Sequence, residues 1–346
     1  MPSQALTDRP STDPLFLYRF RDSIYSTDLL TTAIVHLDLF TRLDRKPQSL
    51  KTLCQELGIH DRPADVMMSL MKSMGLIEER DELFHLTELA GEHLVVGSPW
   101  FIGPYYGGMK DRPVALDFLK VLRTGKPSNW ASLRNEKAWA QAMEQEEFAR
   151  SFTAAMDSRG VYLGQALAQK VDLRERTHLL DVAGGSGIYA CCLAAANPEL
   201  KATVLEKPPV DQIAARCIAD RGYSSRVTVS VGDMFNDAWP THADVHLISN
   251  VLHDWDAEPV QDLLRRSFES LQPGGVLLIH DMHLNVDKTG PLPVAQYSAL
   301  LMNITEGKCY SIGELESMLT GIGFSNVRYL ETAADRSVLV VDRPGG

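Results

Sequence analysis

At 346 residues the chain is long enough to bury a large core and to divide into two or three domains. Its 45 acidic against 34 basic residues leave a net charge of −11, which excludes a basic, duplex-coating surface and points to a small-molecule partner rather than nucleic acid. Five cysteines (Cys54, Cys191, Cys192, Cys217, Cys309), odd in number and without a C-x-x-C pair, exclude a disulfide framework and a cysteine zinc site; with no leader read, they fit a reducing cytoplasm, and no apolar run approaches the roughly 18 residues of a membrane span.

In chain order, Met1 to Pro14 reads as a loose polar arm. From Leu15 to Phe40 apolar residues (Phe16, Phe20, Ile24, Leu30, Ile34, Leu37) recur at helical spacing on faces too apolar for water, so a partner should cover this helix. Ser49 to Leu57 and Pro63 to Met74 predict two short helices joined at Gly58; Gly75 and the runs 76–77 and 84–86 predict a small hairpin, completing a winged-helix pattern. The would-be recognition helix, Arg62 to Met74, offers only Arg62 and Lys72 as cations and is otherwise Met-rich, so packing or dimerisation is favoured over DNA contact. A helical stretch from Pro113 to Leu122 follows, then a looser segment with Pro127, Asn129 and Trp130. Glu136 to Leu167 reads as a long helix whose Phe148, Phe152, Ala155, Met156 and Leu163 form one stripe, core or the roof of a cavity.

From His178 onward strands and helices alternate. Strands are expected at 178–182, 202–206, 227–231, 244–249 and 275–280, and helices at 188–196, 209–221 and 257–271. A helix near 311–322 and two closing strands near 326–330 and 337–341 complete the pattern. This predicts an α/β fold with a parallel sheet, helices on both faces and an antiparallel hairpin at one edge.

The stretch Leu179 to Gly187 is an apolar strand running into a glycine-rich turn. Gly184, Gly185 and Gly187 give that turn backbone freedom and leave no side chain between main chain and ligand, and Asp181 stands at the strand end where open α/β sheets bind ligands. The spacing is neither G-x-G-x-x-G nor a P-loop. Glu206, ending the second strand, is placed to accept both hydroxyls of a ribose, the alternative being a solvated acid. Gly232-Asp233-Met234 ends the third strand, either as a simple turn or as an acceptor and a soft apolar surface for adenine. After the fourth strand comes Asn250-Val251-Leu252-His253-Asp254-Trp255-Asp256. Here His253, on the ligand rim beside a carboxylate, is a candidate general base, and Asp281 at the next strand end would orient it. A metal reading through His253, Asp254 and His283 is disfavoured for want of an H-x-x-x-H pair.

These residues resemble the class I S-adenosylmethionine-dependent O-methyltransferases of the caffeic acid and acetylserotonin type. The resemblance rests on Asp181 to Gly187, Glu206, 232–234, V-L-H-D-W-D at 251–256, L-Q-P-G-G-V at 271–276, Thr305-Glu306-Gly307-Lys308, Gly323-Phe324, Phe152-x-x-x-Met156 and the winged-helix segment. It implies a C-terminal Rossmann-like domain binding S-adenosyl-L-methionine and an N-terminal, mostly helical winged-helix region exchanged in a homodimer. The corresponding boundaries are 1–98, a connector and pocket roof at 99–175, and 176–346. It further implies His253 as base with Asp254 and Asp281 balancing the imidazolium, and Asp181, Gly184, Gly185, Gly187, Glu206, Gly232, Asp233, Met234, Asn250 and Trp255 around the cofactor, Trp255 stacking by the adenine. Phe152, Met156, Met302, Asn303 and Cys309 would line the acceptor pocket. Ala183 replaces a glycine, tolerable at negative φ; Asn250 replaces a basic residue; Cys309 stands where plant relatives carry a second glutamate.

The reading is thus an O-methyltransferase for a small aromatic or polyketide-like hydroxyl in secondary metabolism. A C-methyltransferase or a non-methylating cofactor-dependent enzyme is the alternative, and a winged-helix regulator a more distant one.

Overall fold

Local chemistry sets the element boundaries of the computed structural model, which describes residues 6–128 and 142–345. Ser49 caps Leu50–Leu57 by accepting the Thr52 amide at 3.3 Å, and Gly58, at φ 62°, ends that helix in the left-handed region. Asp61–Ser73 follows, and strands β1 (Ile77–Arg80) and β2 (Leu83–Leu86) pair as the expected hairpin.

The single helix expected over 15–40 is instead broken. Leu15–Asp22 and Ser26–Thr31 are separate helices, a π-helical turn covers Thr32–His36, and Asp38, at φ 49°, starts Leu39–Arg45 afresh. The break divides the apolar residues: Leu29, Leu30, Ile34 and Leu37 enter the core, while Phe16 and Phe20 are each 71% exposed.

Of packing and dimerisation, the two roles expected of the Met-rich face, packing within the chain accounts for it. Met67, Met68 and Met71 are buried within this chain, where Asp61–Ser73 packs on the helix Leu292–Ile304. That second helix is absent from the sequence reading. It is apolar nearly all round and so carries no polar stripe from which a helical period could be read. Arg62 donates to the carbonyls of Gly307 (2.8 Å) and Gly125 (2.7 Å), and Lys72 to Glu79 (2.6 Å) and the carbonyl of Asp287 (2.8 Å), so both cations of the would-be recognition helix are spent internally.

The long helix is described as Glu146–Ala168; the expected start at 136–141, like Asn129, Trp130 and residues 1–5, lies outside the described residues. Its stripe is corrected. The buried line runs through Ala149, Thr153, Gly160, Leu163, Gly164 and Leu167, Phe148, Phe152 and Met156 are half-buried, and Ala155 is exposed.

Seven strands form the main sheet: β3 (His178–Val182), β4 (Lys201–Glu206), β5 (Val227–Val231), β6 (Val245–Ser249), β7 (Val276–Asp281), β8 (Ser325–Glu331) and β9 (Ser337–Asp342). Their order is β5-β4-β3-β6-β7-β9-β8, parallel through β7, with β9 antiparallel to both β7 and β8. The central strands are buried and mostly apolar because both faces are covered, by 146–168 and 188–196 on one side and by 257–270 and 312–322 on the other. Asp256 caps 257–270, and Ser311 with Glu314 forms a capping box on 312–322. From β3 the chain winds outward to β5, then returns to place β6 on the other side of β3. The crevice at this reversal, over the carboxyl ends of β3 and β6, is where such sheets bind ligands.

Candidate active site

The glycine turn after β3 is shaped around Asp181. A Cβ on Gly184 would lie 2.5 Å from the Asp181 carboxylate, and one on Gly187 3.0 Å from Ile218. Gly185, at φ 60°, faces open space and donates its amide to Glu206 Oε1 at 3.0 Å. Ala183 departs from expectation: its φ is +52°, the region that disfavours a Cβ by about 1–2 kcal/mol, so the turn holds it there against its preference. Both oxygens of Asp181 are buried without a hydrogen-bond partner, the Ala190 amide coming near without completing one. Burial, and then the neighbouring Glu206 charge, push the Asp181 carboxyl up to about 7. Glu206 is likewise pushed up to about 7 by burial, against the lowering effect of the Gly185 and Lys207 amides.

Further along the strand ends, Asp233 caps its own turn, accepting the Phe235 (2.9 Å) and Asn236 (3.2 Å) amides, with Lys207 at 3.6 Å from its other oxygen. Gly232 lies against Leu205, and the Met234 carbonyl accepts Trp239 Nε1–H at 2.9 Å. Trp255 meets Phe235 edge to face at 4.8 Å, and the two rings with Pro259 line an open cleft of about 300 Å³. Asn250, at φ 53°, donates to Tyr189 Oη (3.1 Å) and Ser249 Oγ (2.9 Å) and leaves its Oδ1 buried and unpartnered.

Across the crevice, a short 3₁₀ turn over Leu252–Asp254 presents His253. Its Nδ1–H donates to Asp281 Oδ1 at 2.6 Å, and that oxygen also accepts the Met282 amide at 2.8 Å. Asp254 Oδ1 stands 3.6 Å from Nε2 and is partly exposed, so Nε2 is the nitrogen turned towards the cleft. Burial opposes a charge on His253, but Asp281 and Asp254 together outweigh it and raise the imidazole above its usual 6.5; Asp281 is correspondingly held down to about 2. The sequence-predicted pair is therefore in contact. His280 and His283 bond Ser249, Thr332 and Ser337 instead and are driven down by burial to about 3 and about 4. Among the described residues no group of three His, Cys, Asp or Glu is arranged to hold a metal.

Three residues beside His253 are missing from the sequence reading. The Tyr297 ring stands perpendicular to the imidazole at 5.7 Å, Arg159 donates to Tyr297 Oη at 3.4 Å, and Arg336 lies over the Tyr297 ring at 5.3 Å while pairing with Asp22 at 3.2 Å. Tyr297 belongs to the unread helix 292–304, and a lone arginine in a long helix carries no motif. Met302 and Asn303 are buried on the same helix, the Asn303 amide lacking a partner among the described residues. Cys309 is buried beside Ser298, its thiol raised well above the ordinary range by burial.

The turn that carries His253 is held from behind. Gly307 packs so closely on it that a Cβ there would lie 2.1 Å from the His253 carbonyl oxygen, Thr305 Oγ1 donates to the same carbonyl at 3.4 Å, and Arg62 pins the Gly307 carbonyl.

A parallel sheet whose strand-end carboxylates face a glycine turn at the reversal point, with a buried imidazole across the crevice, defines an α/β enzyme built around a nucleoside-type cofactor. Residues 118–325 match the family model described as the O-methyltransferase domain, and the chain belongs to that family. It is 30% identical over 93% of its length, and 92% of the relative's, to a 3-hydroxy-5-methyl-1-naphthoate 3-O-methyltransferase of Streptomyces sahachiroi. It is 28% identical, over 93% and 94%, to the tetracenomycin polyketide synthesis 8-O-methyltransferase of Streptomyces glaucescens. A crystal structure of an O-methyltransferase family 2 protein from Planctomyces limnophilus, in complex with apigenin, superposes with a TM-score of 0.89 at 31% identity, covering 99% of this chain and all of that one.

The chain is accordingly an S-adenosyl-L-methionine-dependent O-methyltransferase. The residues present fit that cofactor. Both Asp181 oxygens are buried without a partner, Glu206 beside them accepts only the Gly185 and Lys207 amides, and Gly185 leaves the adjoining space open, a donor-poor cradle that would suit a cationic nucleoside. No helix among the described residues is long and apolar enough to cross a membrane.

Proposed function

We propose that the enzyme methylates a hydroxyl of a small aromatic or polyketide-like metabolite, with His253 as the general base. The observation carrying this reading is the 2.6 Å His253–Asp281 contact, which fixes Nδ1 as the protonated nitrogen and leaves Nε2 free to take the acceptor proton. The named acceptors of the similar proteins, a hydroxynaphthoate, a polyketide and a bound flavone, support an aromatic acceptor. S-adenosylmethionine supplies an electrophilic methyl group on a positively charged sulfur. Around it, Glu206 accepts the ribose hydroxyls, Asp181 stabilises the cationic part of the cofactor through the glycine turn, and Asp233, Met234 and Trp255 border the adenine. His253 holds the acceptor oxygen in line and removes its proton, Asp281 orients and balances the imidazolium, and Phe152, Met156, Met302, Asn303 and Cys309 enclose the ring. The test is methyl transfer from isotope-labelled cofactor to a panel of phenols, with NMR assigning the new methyl to oxygen or carbon. Carbon attachment would move the reading to C-methylation.

Because Asp181 and Glu206 titrate near 7, affinity for S-adenosylhomocysteine should depend on pH. The ionised carboxylates are the binding forms, so affinity falls as pH drops below about 7 and levels off above it. Calorimetry on wild type and Glu206→Gln measures this, and a flat profile in the wild type would remove these acids from the cofactor site.

We also propose a cytoplasmic homodimer that buries the outward face of the N-terminal helix. Phe16, Leu17, Phe20 and Ile24 are exposed together there, and so large an apolar patch is costly in water. Light scattering should give twice 38.4 kDa, and Phe16→Asp with Phe20→Asp should halve it. A wild-type monomer at micromolar concentration would rule out this surface as the interface.

A further inference from the structure

The other cations near the site have close partners, most of them charged. Arg336 is paired with Asp22, Lys308 with Asp65 (2.6 Å) and Glu314, Arg221 with Asp157 (2.6 Å), and Arg62 with two carbonyls. Arg159 is the exception. Half-buried as a residue, it forms no ion pair within 4 Å among the described residues, its Nε is buried without a hydrogen-bond partner, and its guanidinium reaches Tyr297 Oη only at a long 3.4 Å. Tyr297 touches both groups, so the guanidinium lies one side chain away from the base. Asp281 does not pair with it within 4 Å; the Asp281 contacts, from His253 and the Met282 amide, both fall on Oδ1.

A guanidinium carries five N–H donors in a planar fork that matches an oxyanion, and leaving them unmet in a buried site is expensive. An unanswered arginine held by a rigid helix and a buried tyrosine is therefore a preformed receptor for a charge brought by a ligand. Two ligands carry one: the cofactor, through its α-carboxylate, and the acceptor, through a carboxylate or a comparably acidic oxygen. The contacts favour the acceptor. Tyr297, which holds the guanidinium, also stands against His253, whereas the strand-end carboxylates of the cofactor crevice make no contact with it.

We propose that Arg159 is a specificity-determining residue that binds an anionic substituent of the acceptor, so that the enzyme prefers hydroxyaryl carboxylates to neutral phenols of the same shape. The inference rests on the acceptor site lying at His253. It accounts for a charge that the methyl-transfer reading leaves idle, since proton removal by His253 needs no second cation.

The experiment compares 3-hydroxy-2-naphthoate with 2-naphthol, using wild type, Arg159→Gln and Arg159→Lys. Binding to the S-adenosylhomocysteine complex is measured by calorimetry, with turnover read separately by mass spectrometry. The wild type should bind the acid more tightly than the naphthol. Arg159→Gln should weaken the acid by about 10- to 100-fold and leave the naphthol nearly unchanged, the loss expected for a charge-assisted pair, and Arg159→Lys should restore part of it. S-adenosylhomocysteine affinity should be the same in all three. If Arg159→Gln instead weakens S-adenosylhomocysteine and leaves discrimination between the two acceptors intact, the cofactor carboxylate is the ligand and the proposal is overturned. Equal loss for both acceptors overturns it as well, assigning Arg159 to packing. Because the binding arms need no turnover, a failure of methylation would count against the proposed reaction without touching this result.

Discussion

His253→Ala is expected to lower turnover by about 10²–10⁴-fold, the range for removing a positioned general base, while leaving S-adenosylhomocysteine affinity nearly intact. The separation of effects follows from the geometry, because the imidazole faces Asp281 and Tyr297 across the crevice from Glu206 and Asp181. Asp281→Asn should cost less in rate, since an amide can still accept the Nδ1–H, but it removes the charge that raises the imidazole. Wild-type rate should therefore rise with pH through a midpoint above 6.5, as the base sheds its proton, and in Asp281→Asn the midpoint should move down. Acceptors with acidic hydroxyls need no base, so the His253→Ala penalty should shrink along a series of phenols of falling pKa. A variant that keeps full rate on a weakly acidic phenol would end the general-base mechanism.

What the sequence made legible is what short-range chemistry fixes. Glycines that a ligand or a buried acid must approach, acids at strand ends and a histidine next to an acid all have a reason that local spacing reveals, and the fold sets Asp181 and Glu206 at neighbouring strand ends and joins His253 to Asp281. Long-range burial was not legible. Leu292–Ile304, apolar on nearly every face, shows no period, yet it supplies Tyr297 and covers the methionines for which sequence offered packing or dimerisation alike. Arg159 and Arg336 are ordinary surface residues in a sequence; only their unequal compensation distinguishes them, since Arg336 pairs with Asp22 while Arg159 has no ion pair among the described residues. Ala183 shows a third limit: its positive φ is imposed by the turn between β3 and the glycines, and its own preference would have argued otherwise.

Gly307→Ala should be as damaging as loss of the base, although the residue carries no functional group. The added methyl would meet the carbonyl oxygen of His253 at 2.1 Å and the Trp255 amide nitrogen at 2.5 Å, and both are backbone atoms that cannot swing aside as a side chain would. Either the 305–308 segment lifts, breaking the Arg62 and Thr305 contacts, or the 252–255 turn shifts and carries the imidazole off Asp281. Overpacking of this kind costs about 1–3 kcal/mol of stability, and a displacement of about 1 Å at the base costs about 10²-fold in rate. Gly321→Ala is the matched control: its Cβ would meet nothing within 4 Å, inside the helix 312–322, and it should be neutral or stabilising by up to about 1 kcal/mol. Thermal midpoints and turnover of the two variants, with S-adenosylhomocysteine binding as a check on the fold, measure the difference. Wild-type turnover in Gly307→Ala would mean that the His253 turn is not held by this contact, and that the precision of the base comes from Asp281 alone.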